Sequence, residues 1–385
     1  MEKNNMKKEL IIKAVSVLVF IALSIGVVIY ANADRPKYTI TENSGVEYET
    51  ARVLSVIEDN TVIDESVENQ KKGSSELKVK ILTGRYKGDI CKVTNYFSAL
   101  YNVDVKEGDT VSVRIDTSAE HTYTVSIYNY NRIPLTIGLV AVFFAVLVLM
   151  GGKQGLKAFI GLAYTVLVIL FVLLPLVYKG FSAIPVTIAV IFVTSAICFL
   201  LIGGTGKKTV SAALGSLAGV LIAAILGAVS AKLGGVTTFQ TDEAEALLLV
   251  KSASNLKMSG LFISGILIAA MGAVMDIAMS ISSAIEEIKL ANEKATFGEL
   301  FKSGMKIGRD AMGTMANTLV LAYVGGALNM MILIYSYGVS FIQLINTDFV
   351  AVELIRAIAG SVGIISTVPC VAAIGAYLYG HKNNK

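Results

Sequence analysis

Two histidines, three cysteines and no tryptophan in 385 residues leave little material for metal or redox chemistry. Cys91 falls in a polar segment while Cys198 and Cys370 fall inside apolar runs, with no paired spacing that would make a disulfide framework or a zinc site. His121 and His381 stand in a strand-like stretch and in the tail, too far apart in sequence to cooperate. No cofactor and no metal is expected. Charge is scarce as well: 16% of residues are charged and 54% apolar, with a mean hydropathy of +0.67, outside the range of soluble globular chains. The net charge of +4 does not argue for nucleic acid, because membrane proteins keep excess Lys and Arg to set their orientation. The lipid bilayer is the partner this composition implies.

A spanning helix needs about 20 mainly apolar residues, since the hydrocarbon core is about 30 Å thick and each residue rises about 1.5 Å. Eight stretches meet that criterion, at approximately 10–30, 133–150, 156–177, 184–202, 209–231, 259–283, 311–335 and 353–379. Pro369 in the last one predicts a tilt or kink. With the N-terminus inside, about fifteen Lys and Arg collect in the short cytoplasmic segments against four, Lys179, Lys232, Lys251 and Lys257, in the opposite loops. This imbalance predicts a multi-pass cell-membrane protein with both termini and the 284–308 loop cytoplasmic and residues 34–132 extracytoplasmic. Residues 1–33 read as an N-terminal membrane anchor. Lys7, Lys8, the apolar run and Ala31-Asn32-Ala33 also fit a cleaved secretory signal, although the run is longer than the usual signal core.

The polar segment 34–132 reads as a small β barrel or sandwich. Val46 to Ile57, Glu76 to Leu82 and Thr110 to Ile115 mix β-branched apolar and polar residues at near-alternating spacing, broken by Gly73, Gly84, Gly88 and Gly108. Thr83 to Gly88 has the composition of a hairpin turn, and Glu107-Gly108-Asp109 that of a turn before a barrel strand. Residues 133–385 form the transmembrane helix bundle. Within it, Gly203-Gly204-Thr205-Gly206-Lys207-Lys208-Thr209 lacks the glycine five residues before Gly206 and the Ser or Thr directly after the lysine that a phosphate loop needs, so it reads as a tight turn. Gly215-Ser216-Leu217-Ala218-Gly219 has the small-residue spacing of a helix contact.

The informative residues are ionisable and lie in or beside the last three spans. Asp276 sits well inside the sixth, with Ser280 and Ser283 on the same face at i+4 and i+7. A carboxylate there is costly unless it faces protein or a water-filled cavity. Arg309 and Asp310 open the seventh, with Thr314 and Asn317 on the Asp310 face, and Asp276 and Arg309 are expected at similar depth and able to pair. Asp310 alone also has an ordinary explanation in the helix dipole. Glu353 and Arg356 stand one turn apart near the start of the eighth span, spaced for an i,i+3 ion pair or for snorkelling to the interface. Gly360 and Gly363 beyond them would let another helix approach.

Gly272 to Ser280, Gly308 to Leu319 and Glu353 to Gly363, in that order, resemble the YibE/F-like family of bacterial multi-spanning membrane proteins. The resemblance runs from about residue 130 to the end, and the preceding anchor and β-rich segment fit the family's layout. It implies the fold and location already argued. It brings no substrate, cofactor or reaction, and so no catalytic residue.

Two functional expectations follow. One is a transporter or permeation protein for a small polar or ionic solute, with Asp276 the proton- or cation-responsive group, Arg309 its counter-charge or an anion contact, and Asn317 a hydrogen-bonding wall residue. The other is a membrane scaffold or accessory protein whose outer β domain binds an envelope partner; neither that partner nor a homo-oligomer can be read from the residues. An enzyme is not expected, because no HExxH or GxSxG motif occurs and no histidine lies in the membrane part to act as a base.

Overall fold

A computed structural model of the chain describes residues 24–33, 45–117, 123–252 and 254–380. His121 and His381 lie outside them. The chain divides into two compact units, residues 37–146 and residues 147–385 with the N-terminal segment up to Pro36.

In the first unit five strands, β1 (Val46–Asp64), β2 (Gln70–Ile81), β3 (Ile90–Phe97), β4 (Thr110–Asp116) and β5 (Thr124–Tyr130), form one antiparallel sheet in the order β3-β2-β1-β4-β5. Alternation builds it. Ala51 and Val53, Leu77, Val79 and Ile81, and Val111, Val113 and Ile115 are fully or almost fully buried, while Lys78, Lys80 and Arg114 point outward. The sheet curls until β3 touches β5, giving a half-barrel. Tyr123 joins its two ends: the hydroxyl donates to Asp89 at 2.6 Å and the ring lies 4.1 Å from that of Tyr86. The Asp89 carboxylate that accepts this bond, helped by burial, pushes the Tyr123 hydroxyl above its usual range. Three of the strands coincide with the alternating stretches read from the sequence. β3 and β5 escaped that reading because their alternation is blurred on both faces: Ile90, Tyr96, Tyr128 and Tyr130 are exposed, and one inward place of β3 is polar. Asn95, at that place, is 4% exposed and satisfies its amide by donating to the Val103 carbonyl at 2.9 Å.

The helices are α1 (residues 24–32), α2 (Ile133–Tyr178), α3 (Ala183–Gly203), α4 (Lys207–Leu233), α5 (Ala244–Ser252), α6 (Leu261–Ala291), α7 (Phe297–Ser336), α8 (Phe341–Ile345) and α9 (Asp348–Gly380). Among the described residues six of these, α2, α3, α4, α6, α7 and α9, are long and apolar enough to cross a membrane. The eight separate spans expected from hydropathy are thereby corrected. The stretch 10–30 lies mostly outside the described residues. The stretches 133–150 and 156–177 belong to one 46-residue helical run, interrupted at Gly152 alone, whose φ of 53° and ψ of −132° leave the helix. Positive φ is accessible to glycine at little cost, so a single residue replaces the loop that Gly151 to Gly155 suggested. The turn is sharp: a Cβ on Gly155 would collide with the Leu147 backbone carbonyl, eight residues earlier.

The 284–308 loop also contracts, to the residues between Ala291 and Phe297. Its lysines and glutamates extend helices beyond their apolar stretches, and a capping box fixes the start of α7, with Thr296 accepting from the Glu299 N–H and Glu299 accepting from the Thr296 N–H.

The core of the second unit lies where α4, α6 and α9 meet. Gly215 and Gly219 of α4 face Val371 and Thr367 of α9, and Gly363 of α9 faces Ala223 of α4. Side chains at those positions would meet backbone or Cβ atoms, so small residues set the helix spacing. Gly360 faces Leu319 of α7 and Ala270 of α6, and Gly308 of α7 meets Ile281 and Val368. The glycines that the sequence marked as contacts are contacts.

Candidate functional site

On α6 the positions exposed within the apolar part are Gly265, Ala269, Gly272, Asp276 and Ser280, spaced by four, three, four and four residues. They form a single stripe of small and polar residues along one face. The remaining faces bury Phe262, Ile266, Ile277, Ile281 and their neighbours in the core. Gly265 and Gly272 have open space where a Cβ would stand. Asp276 is exposed in this stripe between Gly272 and Ser280, and among the described residues it has no ion pair and no side-chain hydrogen bond.

Arg309, Asp310, Thr314 and Asn317 are exposed on α7. The antiparallel register of α6 and α7 follows from Ile285 against Gly304 and Ile281 against Gly308. Moving from Ile281 to Asp276 runs the same way as moving from Gly308 into α7, so Asp276 lies roughly 6 Å deeper than Arg309 along the helix axes. Similar depth was expected and is found to within about one turn. The expected pairing is not: no ion pair joins Asp276 to Arg309 among the described residues. Ile281 and Ile285 of α6 pack on Gly308 and Gly304 of α7, whereas Asp276 belongs to the exposed stripe. Thr314 donates its hydroxyl to the Ala311 carbonyl at 2.8 Å, which satisfies it within its own helix.

Glu353 and Arg356 do pair, at 2.8 Å, with both side chains half-buried. The guanidinium also lies over two rings, 5.9 Å from Phe262 of α6 and 5.8 Å from Tyr323 of α7. This pair therefore ties three helices together and is occupied in packing.

A second polar cluster, which the sequence did not disclose, gathers at the far end of α6. Glu286 lies 3.3 Å from the Lys208 ammonium of α4 and accepts from the Tyr379 hydroxyl of α9 at 2.8 Å. Lys207 stands 5.7 Å from the Tyr379 ring, and Ser211 and Ser282 share a hydrogen bond of 2.8 Å. The turn from Gly203 to Lys207, read from the sequence only as a tight connection, presents both lysines to this cluster, with Gly204 at φ 73°. Its members come from three helices, so no local spacing marks them; a Glu and a Lys at adjoining span ends were the available signal.

Residues 139–381 match the family described as YibE/F-like protein, and residues 45–130 match the YibE/F family N-terminal domain. Among curated proteins and among solved structures, none matches the chain.

Proposed function

The chain belongs to the YibE/F-like family, and from that premise we propose that it passes a small polar or ionic solute across the membrane, along a path bounded by the Asp276 stripe. One observation carries the reading. A carboxylate in the apolar part of α6, exposed, unpartnered and flanked by Gly272 and Ser280, would be costly against lipid and is explained by water. The half-buried charges of the helical unit already have partners, and Asp276, exposed in the apolar part of α6, does not, which leaves it for solute or proton. In this reading Asp276 is the charge-responsive group, and Arg309, Asp310, Thr314 and Asn317 line the approach from one side of the membrane. The proposed orientation puts both termini and the α6–α7 connection in the cytoplasm and residues 34–132 outside, with α2 crossing twice by turning back at Gly152, and it is supported by the Lys and Arg imbalance of the short loops. No enzymatic activity and no cofactor is proposed.

The test is a solute-flux survey on protein reconstituted in vesicles, wild type against Asp276→Asn. A solute whose flux needs wild-type protein and is abolished in the variant supports the reading. Flux that is the same with both proteins for every solute sinks it.

The scaffold reading draws on a different feature. β1 and β2 continue as a two-stranded arm beyond the barrel, where Val62 and Ile63 are 71% and 60% exposed, a surface suited to an envelope partner. Deletion of the arm that leaves flux intact but releases a co-purifying envelope protein would favour that role.

A further inference from the structure

Where β5 hands over to α2, the outer face of the half-barrel carries a cleft of about 470 Å³. Thr50, Ser112 and Asn129 are direct neighbours across β1, β4 and β5, and so form a polar row on the face opposite the apolar core. The register slips beside this row: Ser112 pairs with Asn129 but Val113 with Ile127, so Tyr128 is an extra residue. Such a bulge re-aims side chains, and here the Tyr128 ring turns to meet Tyr48 at 4.8 Å and also lines the cleft. On the helix side the lining changes to Arg132, Ile133 and Ile137.

The lining is divided in two. One half offers hydroxyls, an amide and the Arg132 guanidinium; the other offers two isoleucines that begin an apolar helix. No carboxylate lines it, and among the described residues Arg132 has no acidic partner. Arg132 is the one charged residue in the lining, and the neighbouring Asn131 is engaged, accepting from the Ile133 N–H at 3.2 Å. Its position is fixed by the chain itself, because α2 starts at the next residue and is apolar enough to enter a bilayer. Beyond the cleft, Leu135 and Leu139 are each more than 60% exposed.

We propose that this cleft binds an anionic phospholipid, with its phosphate on Arg132 and the Thr50–Ser112–Asn129 row and its first acyl carbons along Ile133 and Ile137. A guanidinium suits a phosphate through paired N–H donors. A chain-bearing ligand accounts for the apolar half, which a free phosphate would leave unused. The site is independent of Asp276 and of any solute path; it requires only that α2 enters the membrane.

The experiment uses the full chain in non-ionic detergent, titrated with phosphatidylglycerol and read by native mass spectrometry. Wild type should take up one lipid ahead of the rest. Arg132→Gln should raise the concentration for half occupancy about tenfold, Arg132→Lys should recover only part of that loss because an ammonium lacks the paired donors, and Ile137→Asn should weaken binding while leaving the charge in place. Lys251→Gln, which removes a positive charge elsewhere, should leave the curve unchanged. Equal uptake by wild type and Arg132→Gln would overturn the proposal, as would equal weakening by Lys251→Gln, which would mean general attraction of anionic lipid. Glycerol 3-phosphate should fail to displace the lipid even in large excess; displacement at matched concentration would identify a free-phosphate site and overturn the lipid assignment.

Discussion

The end and the middle of α6 hold two carboxylates ten residues apart with opposite circumstances. Glu286 is gripped by Lys208 and Tyr379 from two other helices, whereas Asp276 meets no partner among the described residues. Both sit on the same helix and both would be costly in lipid, so the contrast separates a charge used to assemble the bundle from a charge left available. Glu353 with Arg356 falls on the Glu286 side of that division. Removing assembly charges should therefore cost stability, and removing Asp276 should cost activity.

The largest stability loss belongs to the close contact between α4 and α9. Gly219→Leu should cost about 3 kcal/mol or fail to assemble, because its side chain would run into Thr367 and the Gly363 carbonyl of α9. Thermal unfolding in detergent measures this, and an unchanged midpoint would show that α4 and α9 are not held as described. Next in size, Arg356→Gln leaves Glu353 half-buried without its partner and gives up two ring contacts, for an expected loss of about 2 kcal/mol. Restoration by the second change Glu353→Gln would confirm that the unpaired charge is the cause.

Asp276→Asn should shift stability by less than about 0.5 kcal/mol, since nothing in the described fold depends on its charge. Combined with Arg309→Gln the effects should be additive within about 0.5 kcal/mol. A coupling well above that would restore the Asp276–Arg309 pair that the fold does not display, and would erase the contrast with Glu286. Smallest of all is an effect confined to the arm of the β unit. Hydrogen bonds from Lys72 and Ser66 hold the Asp64 carboxyl down at about 2. A carboxyl depressed on folding stabilises above its ordinary value near 3.8 and loses that contribution as pH falls toward 2. Local amide exchange around residues 60–72 should quicken over that window in wild type, and Asp64→Asn should flatten the pH dependence without moving the core of the sheet.

Hydropathy made the membrane-spanning regions legible because long apolar runs have few other uses, yet it counted eight stretches where, among the described residues, six helices qualify. A glycine can turn a helix without any loop, and composition cannot distinguish Gly152 at φ 53° from a short linker. Charged residues at 286–310 looked like a loop because the helices outlast their apolar stretches. Three of the five strands were visible through alternation, while β3 and β5 were blurred by exposed apolar residues such as Tyr96 and Tyr128 and by the inward Asn95, whose bond to Val103 is a tertiary fact. At the candidate site, Asp276, Arg309 and Glu353 were legible one by one as ionisable residues in or beside spans. Which of them pair was not, except for Glu353 and Arg356, whose i,i+3 spacing lies within one helix. Lys208, Glu286 and Tyr379 converge from three helices, and only packing brings them together.

Water at Asp276 is the claim on which the contrast rests, and thiol chemistry reads it directly. In a background with Cys91, Cys198 and Cys370 replaced, Asp276→Cys should react in reconstituted vesicles with a charged, water-soluble methanethiosulfonate, because the thiolate forms only where water reaches. Reaction at a rate comparable to a cysteine placed at Asn292 in the α6–α7 connection is the predicted result. An Asp276→Cys thiol that ignores the charged reagent while reacting with a lipid-soluble maleimide would contradict the account and leave the carboxylate facing lipid or sealed protein.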